Sequence, residues 1–290
     1  MSRRLLAVAR SGPLSRHLLL TLSLVFGLAG PAVAAGYGDC QVTGQKGAYH
    51  ITPATPGQLT VEVSLPAPGW WNGDTPDTIK DGYEYCMAAD IAYRAGLDKV
   101  AVVNVSWAQL IGGHTTNYDL ALSEASITEP RKKVVDFSIP YFSSDIGILV
   151  KKGTKVDNES VKAMRIGVHQ GTTGGDFIAN VVKPSSPPRQ YPNVPAMMAA
   201  LNAGQIDAAA DDTAYVLAYA AASKGALEVG GQYKTGESYG AVYPKGSVNG
   251  ATFDKIIQSM QDDGTLEKLA TKYLAEAWGA DPTKVPYLTP

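Results

Sequence analysis

Hydrophobic positions along the chain fall into short alternating or β-branched runs that trade places with helical stretches. Leu59-Thr60-Val61-Glu62-Val63-Ser64 alternates strictly and predicts a strand. From Gly82 to Ala95, Tyr83, Met87 and Ile91 recur at i, i+4, i+8, and Gly96 ends the helix they predict. Val100–Val105 is β-branched and predicts a buried strand, with a short helix from Trp107 to about Gly112. Strands are expected at Tyr118–Leu122, Ile146–Val150, Met164–Val168, Ile206–Ala210 and Tyr239–Tyr243. Helices are expected near Thr128, from Phe177, and over 194–203, 213–223, 251–260 and 266–278. Strands alternating with helices argue an α/β fold. The helical C-terminal portion is placed to pack back on the N-terminal unit, so that the chain crosses between two lobes twice.

The first 34 residues change the picture. Arg3, Arg4, Arg10 and Arg16 stand without an acid, the apolar run Leu18–Ala29 follows, and Ala32 and Ala34 take the −3 and −1 positions. That is the pattern of a secretory signal peptide cleaved near Ala34, and the run is shorter than the ~20 residues a spanning helix needs. Removing the four arginines from the 25 basic residues leaves 21 against 27 acidic ones, which speaks against a nucleic-acid partner. Two cysteines, Cys40 and Cys86, in an exported chain make one disulfide the default reading. No His/Cys spacing suggests a metal site, and no cofactor motif is present.

Candidate chemistry gathers at three strand-to-helix junctions, where open α/β sheets bind ligands. The first runs from Ser123 to Arg131, with Thr128 as helix cap and Pro130 in the first turn. Arg131 there either grips a carboxylate or lies on the surface beside Lys132 and Lys133. The second, Gln170–Asp176, is a glycine-rich turn with Thr173 as the expected cap; it lacks the Lys-Ser/Thr ending of a phosphate loop. The third ends a strand in Asp211-Asp212, of which one suits an ammonium and one an N-cap. An arginine with helix N-termini for a carboxylate, plus an acid for an ammonium, makes a zwitterion receptor.

Over roughly residues 59–278 the chain resembles the extracytoplasmic solute-binding proteins of polar amino acid ABC transporters, family 3. The resemblance rests on Gly82-Tyr83-Glu84-Tyr85, Val105–Ile111, Ser126-Ile127-Thr128-Glu129-Pro130-Arg131 through Asp136-Phe137-Ser138, Pro140-Tyr141, Ile166–Thr173, Ile206–Asp212 and Tyr239-Gly240. It implies a type II, two-lobe periplasmic-binding-protein-like fold with two crossover hinge strands, near Phe142–Ile146 and Glu237–Ala241. Residues 35–54 then form an N-terminal extension, 55–142 and 241–290 lobe 1, and 146–236 lobe 2.

By the family pattern Arg131 holds the ligand α-carboxylate with the Ser126 and Thr173 N–H groups. Asp212 takes the α-ammonium with the carbonyl at Glu124. Trp107 matches an aromatic that packs on the ligand side chain, or is plain core. His169 matches a side-chain-contacting position, or faces solvent. Trp70 or Trp71 stands in for a first-loop aromatic. Family members usually carry Gly or Ser at Glu124; a carboxylate there either favours a cationic side chain or points away. The implied partners are a free amino acid and the membrane permease of an ABC transporter, for a monomer in the periplasm. A sensory binding protein would use the same pocket. An enzymatic rival on this fold is an exported cyclohexadienyl (arogenate/prephenate) dehydratase, with Glu124 as general acid.

Overall fold

The computed structural model describes residues 36–279 and 281–290; the expected leader over 1–34 lies outside them. Among the described residues ten strands make two five-stranded sheets. The first orders β2 (Lys99–Asn104), β1 (Gln58–Val63), β3 (Leu120–Ala121), β10 (Val242–Tyr243) and β4 (Asp136–Phe137). β1 runs parallel to β2 and β3, whereas β10 runs antiparallel to its neighbours. The second orders β7 (Arg189–Tyr191), β6 (Ile166–His169), β8 (Ala208–Asp212), β5 (Phe142–Lys151) and β9 (Leu227–Tyr239), with β5 antiparallel to both β8 and β9.

Each sheet is flanked by helices that bury their apolar faces. On the first, α1 (Tyr83–Arg94) and α8 (Gly250–Asp262) place Met87, Ile91, Phe253, Ile257 and Met260 in the cluster that holds Leu59, Val61 and Val63. On the second, α6 (Val194–Asn202) and α7 (Thr213–Ala222) contribute Met197, Leu201 and Val216. Short helices α2 (Trp107–Ile111), α3 (Glu129–Lys132), α4 (Asn158–Ala163) and α5 (Thr173–Phe177) fill the remaining connections, and α9 (Thr265–Ala270) and α10 (Glu276–Trp278) follow α8. Gly82 opens α1 at φ 126°, and a Cβ there would lie 2.3 Å from the Trp70 carbonyl oxygen, so the Gly-Tyr-Glu start is fixed by close backbone approach.

Three elements depart from the sequence reading. The Val100–Val105 run forms β2, an edge strand with half-exposed and exposed positions, because only β1 pairs with it within the sheet. β9 begins ten residues before the crossover strand expected at Glu237–Ala241. Its glycines break the alternation, and they do so for packing: Cβ atoms on Gly230 and Gly231 would press on Val156 and Leu288 at 2.4 and 2.8 Å. The tail departs from the assignment of 241–290 wholly to lobe 1. Pro286 and Leu288 bond the backbone of Gln232 in β9, and Thr289 N–H donates to Asn158 on α4. The chain end is thereby laid along the second sheet.

The extension is held to the first lobe at several points. Cys40 and Cys86 are bonded, with Cα atoms 5.3 Å apart and a sequence separation of 46. Closing a loop of that size contributes about 4 kcal/mol in the chain-entropy account. Thr43 donates to Asp90 through its N–H and hydroxyl, and Arg94 joins Thr43 to Asp263. No helix among the described residues is long and apolar enough to cross a membrane.

Candidate functional site

A cleft with about 580 Å³ of empty space is lined from both sheets' loops, by Ser123, Glu124, Ser126 and Arg131 on one side and His169, Thr173, Asp211 and Asp212 on the other. Seven of the eight expected ligand-binding residues meet here: Arg131, Asp212, Ser126, Thr173, Glu124, Trp107 and His169. Trp70 does not. It is fully buried, edge-on to Tyr83, Phe142 and Tyr239, because the Pro-rich loop folds inward under α1. Leu65 and Pro66 of that loop face the cleft instead.

Arg131 owes its place to a very short helix. The Thr128 hydroxyl accepts from the Arg131 N–H and Pro130 sits in the first turn. The side chain turns inward, where its two terminal nitrogens donate to Ser126 O at 2.8 Å and Gly171 O at 3.1 Å. The guanidinium carbon lies 5.0 Å from the centre of the Trp107 ring, a cation–π contact. Trp107 in turn is held by a Ser106–Gln109 capping box at the start of α2. The glycine-rich turn is capped one residue earlier than expected: Thr172, not Thr173, accepts from Gly175 N–H. Thr173 is thus the first helical residue. Neither its N–H nor that of Ser126 is engaged by another protein group among the described residues.

Asp212 holds the N-cap position of α7 but makes no capping bond. Its Oδ2 accepts from the Tyr239 hydroxyl at 2.6 Å, so the carboxylate is aimed into the cleft and away from the helix. Asp211, the other member of the acidic pair that the sequence places at this strand end, also lines the cleft. Its Oδ1 accepts from Asp212 N–H, and its Oδ2 is buried without a partner. Its nearest sequence signal was the adjacent pair of acids at a strand end. Tyr215, from the first turns of α7, completes this wall.

Glu124 is backbone-strained at φ 47°, a left-handed conformation that glycine, one of the two residues usual here in the family pattern, adopts freely. It is pinned there from behind: its N–H donates to Glu84 Oε1 at 2.9 Å. One carboxylate oxygen, Oε1, is buried with no partner. Three carboxylates therefore face one guanidinium. Burial pushes Asp211 up to about 7 and Glu124 and Asp212 well above the usual range. The charges of Glu84 and the two aspartates raise Glu124 further, while the Tyr239 hydrogen bond and Arg131 oppose the shift at Asp212. His169 moves the other way; burial lowers it, against a hydrogen bond to the Pro192 backbone.

These shifts make a pH prediction. Glu84, pushed to about 7 chiefly by burial, behaves like the three cleft acids. All four bind protons more tightly folded than unfolded, so their contribution favours folding at low pH and is lost as pH rises from the ordinary carboxylate range to about 7. His169 opposes them, one group against four. The melting temperature of ligand-free protein is expected to fall by several degrees between pH 5 and pH 8, measured by calorimetry; a flat or rising profile contradicts the assignment.

Two α/β lobes with a polar, charged cleft between them, entered from the loops of both, define a ligand-capturing protein of the two-lobe binding class. The family of bacterial extracellular solute-binding proteins, family 3, matches residues 67–276. The chain belongs to this family. Among curated relatives, the L-cystine-binding protein TcyJ of Escherichia coli K12 is 30% identical over 209 residues, covering 70% of this chain and 76% of that one. The histidine-binding periplasmic protein of the same strain is 29% identical over 210 residues, 66% of this chain and 78% of the other. Among solved structures, an ancestral arginine-binding protein bound to arginine superposes with a TM-score of 0.67 at 29% identity, over 75% of this chain and 98% of that one. An ancestral amino acid-binding protein described as a precursor of cyclohexadienyl dehydratase gives a TM-score of 0.64 at 27% identity, over 75% and 96%. The curated relatives are binding proteins, not enzymes.

Proposed function

We propose that this chain captures a free polar α-amino acid between its lobes and delivers it to the permease of an ABC transporter. The observation that carries the reading is the cleft's charge pattern: Arg131 against the free Ser126 and Thr173 N–H groups at one end, and Asp212 turned from its helix to face the interior. A carboxylate and an ammonium on one carbon can bridge these groups, which belong to opposite lobes. Binding then favours closure through contacts available only when both lobes are engaged. The relatives named for cystine, histidine and arginine support an amino acid as the ligand class.

The surplus acids narrow the class. After one ammonium has met Asp212, Glu124 and Asp211 still present buried oxygens without partners. A cationic side chain satisfies them; an acidic one adds a fourth like charge in a desolvated site. The enzymatic alternative rests on Glu124, whose raised pKa suits a general acid. Its unpartnered oxygen beside two further acids suits a bound cation better.

A thermal-shift panel on the disulfide-bonded protein from residue 35 onward, unfolded and refolded to remove carried-over ligand, tests this. The panel holds the twenty amino acids, ornithine, prephenate and arogenate. Arginine, lysine, ornithine or histidine is expected to raise the melting temperature most, since a ligand bound only to the native state must do so. No shift with any amino acid, together with turnover of prephenate or arogenate, would replace the binding reading with the dehydratase.

A further inference from the structure

Glu237 stands outside the cleft lining, yet two of the proposed ligand-gripping residues converge on it. Its Oε2 accepts from the Ser126 hydroxyl at 2.6 Å and from the Thr173 hydroxyl at 2.7 Å, and the two hydroxyl oxygens are 3.3 Å apart. Ser126 comes from the loop of the first lobe, before α3. Thr173 opens α5 on the second. Glu237 itself lies on β9 opposite Ser144 of β5, in the strand pair that runs between the lobes and beside a break in its register. The Ser126 loop is tied to the same stretch of β9 by Ile127 N–H to Ser238 O and Gly240 N–H to Ala125 O.

We infer that Glu237 is a positioning residue for ligand capture: a carboxylate on the connecting strand that clasps one hydroxyl from each lobe and so stabilises the closed cleft. The inference rests on the binding reading above and adds to it a part played by the protein alone. Each hydroxyl has a single proton. Both protons are given to Glu237, so neither is left for a ligand carboxylate, which is met by Arg131 and by the Ser126 and Thr173 N–H groups. The bonds to Glu237 are charge-assisted and short, which makes them stronger than hydroxyl–hydroxyl contacts. The Thr173 bond can form only when the second lobe has swung onto the connector. Together with Arg131 to Gly171 O, it gives closure a contribution that does not depend on the ligand's side chain. A larger closed population raises the apparent affinity and slows release for every ligand the site accepts.

The test compares wild type, Glu237→Ala and the volume-conserving Glu237→Gln, with arginine as the probe ligand. Stopped-flow dissociation and calorimetric titration are expected to show release about tenfold faster or more, and Kd weakened to match, in Glu237→Ala, with Glu237→Gln between it and wild type. Adding Ser126→Ala to Glu237→Ala is expected to weaken binding less than the two single changes predict together, because they break the same clasp. Small-angle scattering of the ligand-free proteins is expected to give a larger radius of gyration for Glu237→Ala than for wild type. A variant that melts earlier but releases arginine at the wild-type rate with an unchanged radius overturns the inference, leaving Glu237 a merely structural group. Tighter binding by Glu237→Ala also overturns it, since Glu237 would then be competing with the ligand carboxylate. If wild type takes up no amino acid, the binding reading fails separately, and the scattering comparison still decides the clasp.

Discussion

Replacing Asp212 by Ala is expected to abolish tight amino-acid binding while the protein stays folded. The carboxylate is buried, lines the cleft and is released from capping α7, so it accepts one side-chain hydrogen bond, from the Tyr239 hydroxyl, and is otherwise favoured by the Arg131 charge. A ligand ammonium brought to the truncated site would be desolvated with no countercharge at its own carbon. Truncating one partner of a buried charge pair costs about 2–5 kcal/mol, so affinity should fall roughly a thousandfold. The fold should tolerate the change, because Asp212 sits among like charges: Asp211 and Glu237 both raise its pKa, and removing it relieves that repulsion. Arg131→Ala should lose binding to a similar extent by a different route. It removes the sole guanidinium of the cleft and leaves the Ser126 and Gly171 carbonyls without their donors. Titration calorimetry with the ligand that gives the largest thermal shift decides both. Micromolar binding by a folded Asp212→Ala protein would remove Asp212 from the ammonium role.

Much of this site could be read from the sequence because its parts are local. Thr128, Pro130 and Arg131 sit within four residues, and their spacing sets a capped turn; that the arginine points inward rather than to the surface is decided by the Ser126 and Gly171 carbonyls it meets there. Asp212 stands at a strand end, where a carboxylate needs only to be spared from capping to serve a ligand. What could not be read depends on contacts made from far along the chain. β9 lacks a strand's alternation because Gly230 and Gly231 yield space to Val156 and to Leu288 of the tail, a demand set up to about 75 residues away on one side and 57 on the other. Trp70 or Trp71 is implied as a pocket aromatic by the resemblance, in place of the aromatic that family members carry in the loop after the first strand. The Trp70 ring gains edge-on packing in the aromatic cluster of Tyr83, Phe142 and Tyr239, and that packing outweighs the cost of leaving its indole N–H buried without a partner. Which of Asp211 and Asp212 would cap the helix, and what Glu237 contacts, could not be read for the same reason: the answer lies in which atoms approach them across the lobes.

Glu84→Ala is expected to damage the fold and the site together, by about 3–5 kcal/mol of stability and by a marked loss of affinity. Glu84 belongs to the Gly82-Tyr83-Glu84-Tyr85 start of α1, directly behind the cleft-lining Glu124, and is fully buried. Its carboxylate collects three donors: Trp71 Nε1 at 2.8 Å, the Tyr141 hydroxyl, and the Glu124 N–H at 2.9 Å. Truncation strands all three in a dry interior and opens a cavity besides. The Glu124 bond matters most for function. A glutamate at φ 47° stays there only while something holds its backbone, and Glu84 is the group that does so. Once released, Glu124 relaxes toward an ordinary conformation and takes its carboxylate and carbonyl away from the ligand. Glu84→Gln keeps an acceptor for two of the donors and should cost about 1–2 kcal/mol, with affinity partly retained. Adding Glu124→Gly to Glu84→Ala separates the two effects, since glycine needs no restraint at this φ. The double variant should regain stability relative to Glu84→Ala alone, while its preference for cationic side chains stays lost. Denaturant melts and arginine titrations of the three variants measure this. A Glu84→Ala protein that melts with wild type and binds arginine equally well would show that Glu124 is held by something other than the carboxylate behind it.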